Sequence, residues 1–205
     1  MAHQREILNP LPVRLWHAIH AAAIIMLILT GIHLRFPDVF ALFGTLKKAI
    51  DLHNLIGAIA IGDYFLWFVY YVVRKDLMKQ YLPTLKDLRQ GTGHQAAYYF
   101  FRIFLGDPPP FEPKADAKFN ALQKTSYCGI MFLLLPLQAV TGILLWDIET
   151  FLPLTAAVGG IRLIDTLHVL LAYVFTAFLV IHVYLATLGH TVFSHFRAIV
   201  LGYEE

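Results

Sequence analysis

Four long apolar runs divide the chain, and polar or charged residues gather between them. A helix needs about 20 apolar residues to cross the hydrocarbon core of a bilayer, and each run meets that length. The pattern therefore predicts an all-α integral membrane protein, a four-transmembrane-helix bundle that forms a single domain over residues 1–205. The spans are expected at about residues 15–35, 53–73, 122–146 and 163–188, with a long second loop at about residues 74–121.

The composition agrees with a membrane location. Hydrophobic residues make up 58% of the chain and charged residues 15%, and the mean hydropathy is +0.62. A soluble domain usually carries about 25% charged residues. The single cysteine, Cys128, lies inside the third run and has no Cys-x-x-Cys partner, so a small buried side chain is expected there.

The Lys and Arg residues are unevenly distributed between the two ends of the runs. Twelve lie before the first run, in and around the second loop, or beyond the last run, whereas four lie in the first and third loops. Because cytoplasmic loops are enriched in Lys and Arg, the sequence predicts that both termini and the second loop are cytoplasmic. The net charge of +2 gives no indication of a nucleic-acid partner.

Two histidines bracket the last run, LHVLLAYVFTAFLVIH. At about 100° per residue, a spacing of 14 residues falls about 40° short of four full turns, so His168 and His182 share one face of the helix. They lie about 21 Å apart along its axis. One is therefore expected near the periplasmic end of the span and the other near the cytoplasmic end.

Two further histidines lie at matching depths. His17 begins the first span, level with His182, and His53 begins the second span, level with His168. Two imidazoles fill the axial positions of an iron porphyrin, whereas a structural zinc site requires four protein ligands. The pattern therefore predicts two b-type haems, stacked across the membrane and held by two histidines each.

Residues near the histidines suit a haem. Gly57 and Ala172 each lie one turn after a candidate ligand, which leaves room beside it. Three arginines lie near the ends of the spans, where haem propionates are expected to emerge: Arg14, Arg35 and Arg162.

Alternative assignments of the histidines stay open at this point. A histidine at the end of a membrane helix is commonly an interfacial polar residue, and this is the preferred interpretation of His33, about 160° around the first helix from His17. His20 lies one turn inward from His17 and about 60° from its face. It is the alternative ligand on the cytoplasmic side.

Several segments of the sequence resemble a known family of membrane cytochromes. They are WHAIHAAAIIMLILTG, DLHNLIGAIAIG, KFNALQK ahead of TGILLW, and LHVLLAYVFTAFLVIH. These segments resemble the cytochrome b subunit (gamma subunit) of membrane-bound formate dehydrogenase, within the dihaem cytochrome b family of nickel–iron hydrogenases and thiosulfate reductases. The second loop departs from that pattern, because DPPPFEP is closer to the thiosulfate reductase branch. The partner enzyme is therefore left open.

The resemblance implies ligand and substrate sites. It assigns the four histidines pairwise to two haem b groups, as above, and places a site for menaquinone or ubiquinone beside the cytoplasmic haem. On that side the polar cluster Asn120, Gln123 and Lys124 opens the third span. The amides of Asn120 and Gln123 share a helical face and could hydrogen-bond a quinone carbonyl. They equally suit the polar start of a helix.

The resemblance also implies a role and a location. The chain is expected to anchor a respiratory oxidoreductase complex in a bacterial or archaeal cytoplasmic membrane, passing electrons between a periplasmic iron–sulfur subunit with its catalytic partner and membrane quinone. It is not expected to act on a soluble substrate alone. The alternatives are a self-contained cytochrome b561-like quinol or superoxide oxidoreductase, a hydrogenase or thiosulfate/polysulfide reductase subunit, or a transporter or structural anchor with incidental histidines.

Overall fold

Helices account for the regular structure of the chain. The computed structural model describes residues 7–113, 117–189 and 191–203, and every element in these residues is helical. The α-helices are α1 (Leu11–Arg35), α2 (Leu46–Val73), α3 (Leu77–Tyr81), α4 (Thr92–Phe100), α5 (Ala121–Gly129), α6 (Leu135–Trp146), α7 (Ile148–Ala157), α8 (Ile161–Ala186) and α9 (Ser194–Leu201).

In the part of the chain that the structure describes, four helical segments are long and apolar enough to cross a membrane. They are α1, α2, the segment Ala121–Trp146 that joins α5 to α6, and α8. This confirms the all-helical fold class with four spans. The main difference from the sequence-based bounds is that α2 begins at Leu46, seven residues before the expected residue 53. Its first turns carry exposed Lys47 and Asp51, which form an ion pair at 2.9 Å.

Prolines mark places where the spans begin or change geometry. Pro12 lies in the first turn of α1, where an N–H would have no intrahelical acceptor. A π-helical turn, Ile130–Leu134, joins α5 to α6, and Pro136 follows it in the first turn of α6. Because a proline ring clashes with the preceding turn of an α-helix, the wider turn accommodates Pro136 inside a continuous span.

The loop between the second and third spans contains short helical pieces. A π-helical turn, Asp87–Gly91, leads into α4, and a 3₁₀ turn, Arg102–Leu105, follows it. The Asp87 carboxylate accepts hydrogen bonds from the backbone amide and the hydroxyl of Thr84, both at 2.8 Å. The hydrogen bond from the Thr84 backbone N–H is the main reason that the pKa of Asp87 lies below its ordinary value.

The described residues divide into two compact units. The first contains residues 7–14, 68–113, 117–133, 181–189 and 191–203, and the second contains residues 15–67 and 134–180. In the first unit the backbone N–H of Asn9 donates to the Gly202 carbonyl at 2.9 Å. Gly202 has a φ of +96°, and a Cβ there would lie 2.8 Å from the Asn9 carbonyl oxygen, so this contact requires glycine.

The second unit buries polar side chains and exposes apolar ones. Large apolar side chains such as those of Leu55 and Leu170 are 58% and 56% exposed, as expected for a surface that meets lipid. Polar side chains in membrane-spanning segments usually face the protein interior. The second unit contains five polar side chains that are at most 6% exposed: Thr30, His33, Asp63, Thr141 and Thr155.

Candidate haem-binding site

His53 on α2 and His168 on α8 lie side by side in the second unit. Their ring centroids are 6.4 Å apart and their planes are 72° from parallel. The bond from a metal to an imidazole nitrogen is about 2.0–2.1 Å, so one metal between two imidazoles places the ring centres roughly 6 Å apart. A metal ion bound by both imidazoles would therefore fit the separation of the two rings.

The donor set around this pair fits haem iron. Within the residues that the structure describes, no group of three or more His, Cys, Asp or Glu side chains could hold a metal ion. A zinc site would require more protein ligands, whereas a porphyrin supplies four nitrogens and needs two axial imidazoles. Gln138 Oε1 is buried near His168 without a hydrogen-bond partner among the described residues, which marks polar space that the protein itself does not satisfy.

Two buried threonines hold these histidines. Thr30 Oγ1 on α1 lies 2.7 Å from His53 Nδ1, and Thr141 Oγ1 on α6 lies 2.9 Å from His168 Nδ1. Sequence reasoning missed both threonines. The available signal was the recurrence of Thr-Gly-Ile at residues 30–32 and 141–143, ahead of the ends of two different spans.

His17 and His20, the two candidates on α1, have different surroundings. His20 Nδ1 lies 3.0 Å from Asp63 Oδ2 on α2, and its ring stacks on Trp16 with centroids 5.1 Å apart. His17 meets the edge of Trp16 at 6.4 Å. Sequence reasoning did not single out Asp63, although an acidic residue inside an apolar span is a signal of function in itself. Its partner could not be read from the sequence.

His182 lies near the end of α8 in the first unit. Its ring meets the edge of the Tyr127 ring, with centroids 6.4 Å apart. Tyr127 also packs edge-on against Phe119 at 5.0 Å, and Phe119 against Tyr81 at 5.3 Å. A series of aromatic contacts therefore runs from this candidate ligand through Tyr127 and Phe119 to Tyr81.

The arginines and His33 occupy distinct environments. Arg14 is partly buried, and its Nε atom is buried without a hydrogen-bond partner in the described parts of the chain. Arg35 and Arg162 are exposed. His33 is only 1% exposed: its Nδ1 accepts from the Phe43 amide at 3.3 Å, and the two rings stack. It therefore fastens the loop after α1 instead of lying at a solvated interface.

The proposed quinone residues form the start of α5. Asn120 is 4% exposed and caps the helix. Its side-chain oxygen accepts a hydrogen bond from the backbone N–H of Gln123 at 2.9 Å, and Gln123 Oε1 accepts one from the backbone N–H of Asn120 at 3.0 Å. Asn120 Nδ2 also donates to Tyr99 Oη at 3.3 Å. Burial raises the pKa of Tyr99, which keeps this hydroxyl protonated. Lys124 is partly buried one helical turn after Asn120.

The sequence matches a known family over almost its whole length. Residues 9–202 match the family described as prokaryotic cytochrome b561, whose members bind b-type haem. The chain is also 32% identical over 199 residues to "Putative cytochrome YdhU" of Escherichia coli (strain K12), and the match covers 94% of this chain and 72% of that protein. With four helices able to span a membrane, the chain is a multi-pass membrane cytochrome and belongs to the prokaryotic cytochrome b561 family.

Proposed function

We propose that this cytochrome passes electrons between a periplasmic iron–sulfur subunit, with a catalytic partner of the formate dehydrogenase type, and membrane quinone. The observation that carries the proposal is the pairing of His53 with His168, two half-buried imidazoles 6.4 Å apart in a membrane protein. Bound between them, haem iron would supply one-electron oxidation and reduction. A half-buried pair of imidazoles in a membrane cytochrome suits electron transfer through haem iron.

A second haem is proposed for His17 and His182. This assignment rests on the sequence, where both residues lie near the expected cytoplasmic ends of their spans. The Lys and Arg distribution supports the same orientation, with both termini and the second loop in the cytoplasm. Two haems stacked in this way would conduct electrons across the membrane. Arg14, Arg35 and Arg162 are proposed to balance the propionate charges.

Quinone is proposed to bind beside Asn120, Gln123 and Lys124. A quinone carbonyl accepts hydrogen bonds, so it needs N–H or O–H donors. The carboxamide oxygens of Asn120 and Gln123 cap α5, which leaves the donors of this cluster, the Gln123 amide NH₂ and the Lys124 ammonium group, as the groups suited to quinone. Menaquinone and ubiquinone present the same carbonyl chemistry.

The proposal of an iron–sulfur partner subunit is based on the number of cysteines in these residues. These 205 residues contain one cysteine, Cys128, and iron–sulfur clusters are usually held by four cysteine thiolates. Electrons from a soluble donor would therefore reach the haems through another subunit. A hydrogenase or a thiosulfate/polysulfide reductase could supply that subunit in place of a formate dehydrogenase.

A self-contained quinol or superoxide oxidoreductase is the second candidate function. The family description, prokaryotic cytochrome b561, favours it as much as the first. Purification from native membranes separates the two. Co-purification with an iron–sulfur subunit supports the anchor, whereas an isolated chain that oxidises quinol, or reduces quinone with superoxide, supports the second function.

The haem assignment is tested by counting haems per polypeptide with the pyridine haemochrome assay. The wild type is expected to hold two, all of them extractable with acid acetone. His53→Ala or His168→Ala should each leave one, and so should the double variant, because both residues serve the same haem. His94→Ala is the matched control, since His94 is exposed and outside the spans, and it should retain two.

The proposed second pair is tested by combination. His17→Ala or His182→Ala should leave the other haem, and His17→Ala combined with His53→Ala should leave none. One haem remaining in that combination would show that the histidines are paired differently. One haem in the wild type would overturn the dihaem proposal.

A further inference from the structure

Thr30 contacts His53 through a hydroxyl that is already engaged with its own helix. Its Oγ1 donates to the Met26 carbonyl at 2.8 Å, with the Leu27 carbonyl at 3.2 Å. A carbonyl can only accept, so the hydroxyl hydrogen points to the α1 backbone. The same oxygen lies 2.7 Å from His53 Nδ1 and must act there as an acceptor. With the hydroxyl hydrogen assigned to the backbone in this way, the ring proton of His53 is assigned to Nδ1.

Thr141 makes the same set of contacts with His168. Its Oγ1 donates to the α6 backbone, where the carbonyls of Leu137 and Gln138 both lie at 3.0 Å, and accepts from His168 Nδ1 at 2.9 Å. On the other side of the ring, Gln138 Nε2 lies 3.2 Å from His168 Nε2. An amide nitrogen only donates, so Nε2 is the acceptor. Both contacts place the ring proton on Nδ1, and iron at Nε2 would displace the Gln138 amide from that nitrogen.

A glycine follows each threonine, and the second of them, Gly142, lets a histidine ring approach the helix. A Cβ on Gly31 would lie 3.8 Å from His53 Cε1, and a Cβ on Gly142 would lie 3.2 Å from His168 Cε1. The second distance is tighter than an ordinary van der Waals contact. Each threonine thus provides an acceptor for Nδ1, and Gly142 in addition leaves the space that the His168 ring occupies.

We propose that Thr30 and Thr141 are positioning residues for the two ligands of one haem. Each selects the imidazole tautomer whose Nε2 lone pair can bind iron, and each fixes the orientation of its ring. The proposal rests on the proposed ligation by His53 and His168. An acceptor on the distal N–H of a ligand histidine raises the basicity of the metal-binding nitrogen, and loss of such a partner typically lowers metal affinity about 10–100-fold.

The experiment removes each hydroxyl while keeping the volume of the side chain. Thr30→Val and Thr141→Val should weaken haem binding by about 10–100-fold, measured as transfer of haem to apomyoglobin. They should also raise the midpoint potential of this haem in a redox titration, because a less basic ligand stabilises oxidised iron less. Thr30→Ser and Thr141→Ser keep the hydroxyl and should restore both values.

Thr155→Val is the matched control. Thr155 is 1% exposed, and its hydroxyl donates to the Leu152 carbonyl at 2.9 Å, which reproduces the burial and the backbone bond of Thr30 and Thr141. Its hydroxyl has no histidine contact among the hydrogen bonds of the described residues. Haem affinity and potential should both stay at their wild-type values in this variant.

The outcomes separate this proposal from the assignment of the ligands. Loss of one haem in His53→Ala, with wild-type affinity and potential in the valine variants, would overturn the positioning role alone. Two haems retained in His53→Ala would instead overturn the ligation. If a valine variant does not accumulate, the alanine variant at the same position decides, and a wild-type potential in that variant counts against the proposal.

Discussion

Replacing Asp63 by leucine is expected to destabilise the protein without loss of haem. Asp63 Oδ2 lies 3.0 Å from His20 Nδ1, and this contact joins α2 to α1. The two side chains are only 5% and 17% exposed, so water cannot replace the lost partner. The variant tests both the value of this contact and the assignment of His17, not His20, as an iron ligand.

The loss of stability in Asp63→Leu depends on whether the contact between His20 and Asp63 is ionic. Leaving the His20 N–H without an acceptor costs about 1–3 kcal/mol, and breaking a buried ion pair from one side costs about 3–5 kcal/mol. Asp63→Asn separates the two cases, because it retains an acceptor oxygen but no charge. If the contact is a hydrogen bond to a neutral imidazole, Asp63→Asn should lower the free energy of unfolding far less than Asp63→Leu. The double variant, with leucine at both positions, should recover most of the stability.

The assay is unfolding of the purified cytochrome in detergent, followed by far-UV circular dichroism and by the Soret band. Each 1.4 kcal/mol corresponds to about tenfold in the folded-to-unfolded ratio. The control is Asp51→Leu on the same helix. Its ion pair with Lys47 is highly exposed, with side chains 62% and 83% accessible, so little change is expected.

Two results would refute this reasoning. Wild-type stability of Asp63→Leu would mean that the contact does not hold α1 against α2. Loss of one haem from His20→Leu, with the helix content unchanged, would make His20 the ligand. In that case Asp63 would be the group that orients it.

Three further predictions follow from local contacts. Gly142→Ala should weaken haem binding, since its Cβ would lie 3.2 Å from a ring carbon of the facing histidine, whereas Gly31→Ala, at 3.8 Å, should not; haem transfer to apomyoglobin measures both. Asn120→Ala should lower stability by about 0.5–2 kcal/mol through loss of the cap, so the quinone role is better tested with Lys124→Met, which removes an ammonium donor and keeps the cap; quinone-linked reoxidation of the haem should slow in this variant, and a wild-type rate would count against a role in quinone binding. Because folding lowers the pKa of Asp87, the ionised carboxylate stabilises the folded state at pH values above its ordinary pKa of 3.8. This stabilisation is lost as the pH falls through the lower pKa of the folded state. Asp87→Asn should therefore flatten the acid limb of a pH–stability profile, and loss of the Thr84 contacts should do the same.

The sequence was sufficient to predict the four spans, because their length and apolar character are local properties of the chain. α2 begins at Leu46, seven residues before the expected start of the second span, and there is a physical reason for the difference. Lys47 and Asp51 interrupt the apolar run, yet their side chains are exposed and pair with each other along the helix. Charged residues are compatible with a helix that continues beyond the hydrocarbon core.

The contacts of individual side chains depend on which helical faces meet, and sequence periodicity does not contain that information. Thr30 could have faced lipid with its hydroxyl bonded to its own backbone, as membrane threonines can. Only the packing of α1 on α2 brings it to His53. Likewise His33 is buried because the following loop returns the Phe43 amide to it. The ligand assignments themselves stay predictions.

The two Thr–His contacts have a consequence for assembly of the protein in the membrane. Thr30 and His53 both precede the long second loop, and Thr141 and His168 both follow it. Each helical pair can therefore orient its own histidine before it meets the other, as in two-stage association of inserted helices. Haem insertion would then join two prepared halves, and the order of biogenesis would be insertion, pairing within each half, and cofactor capture last.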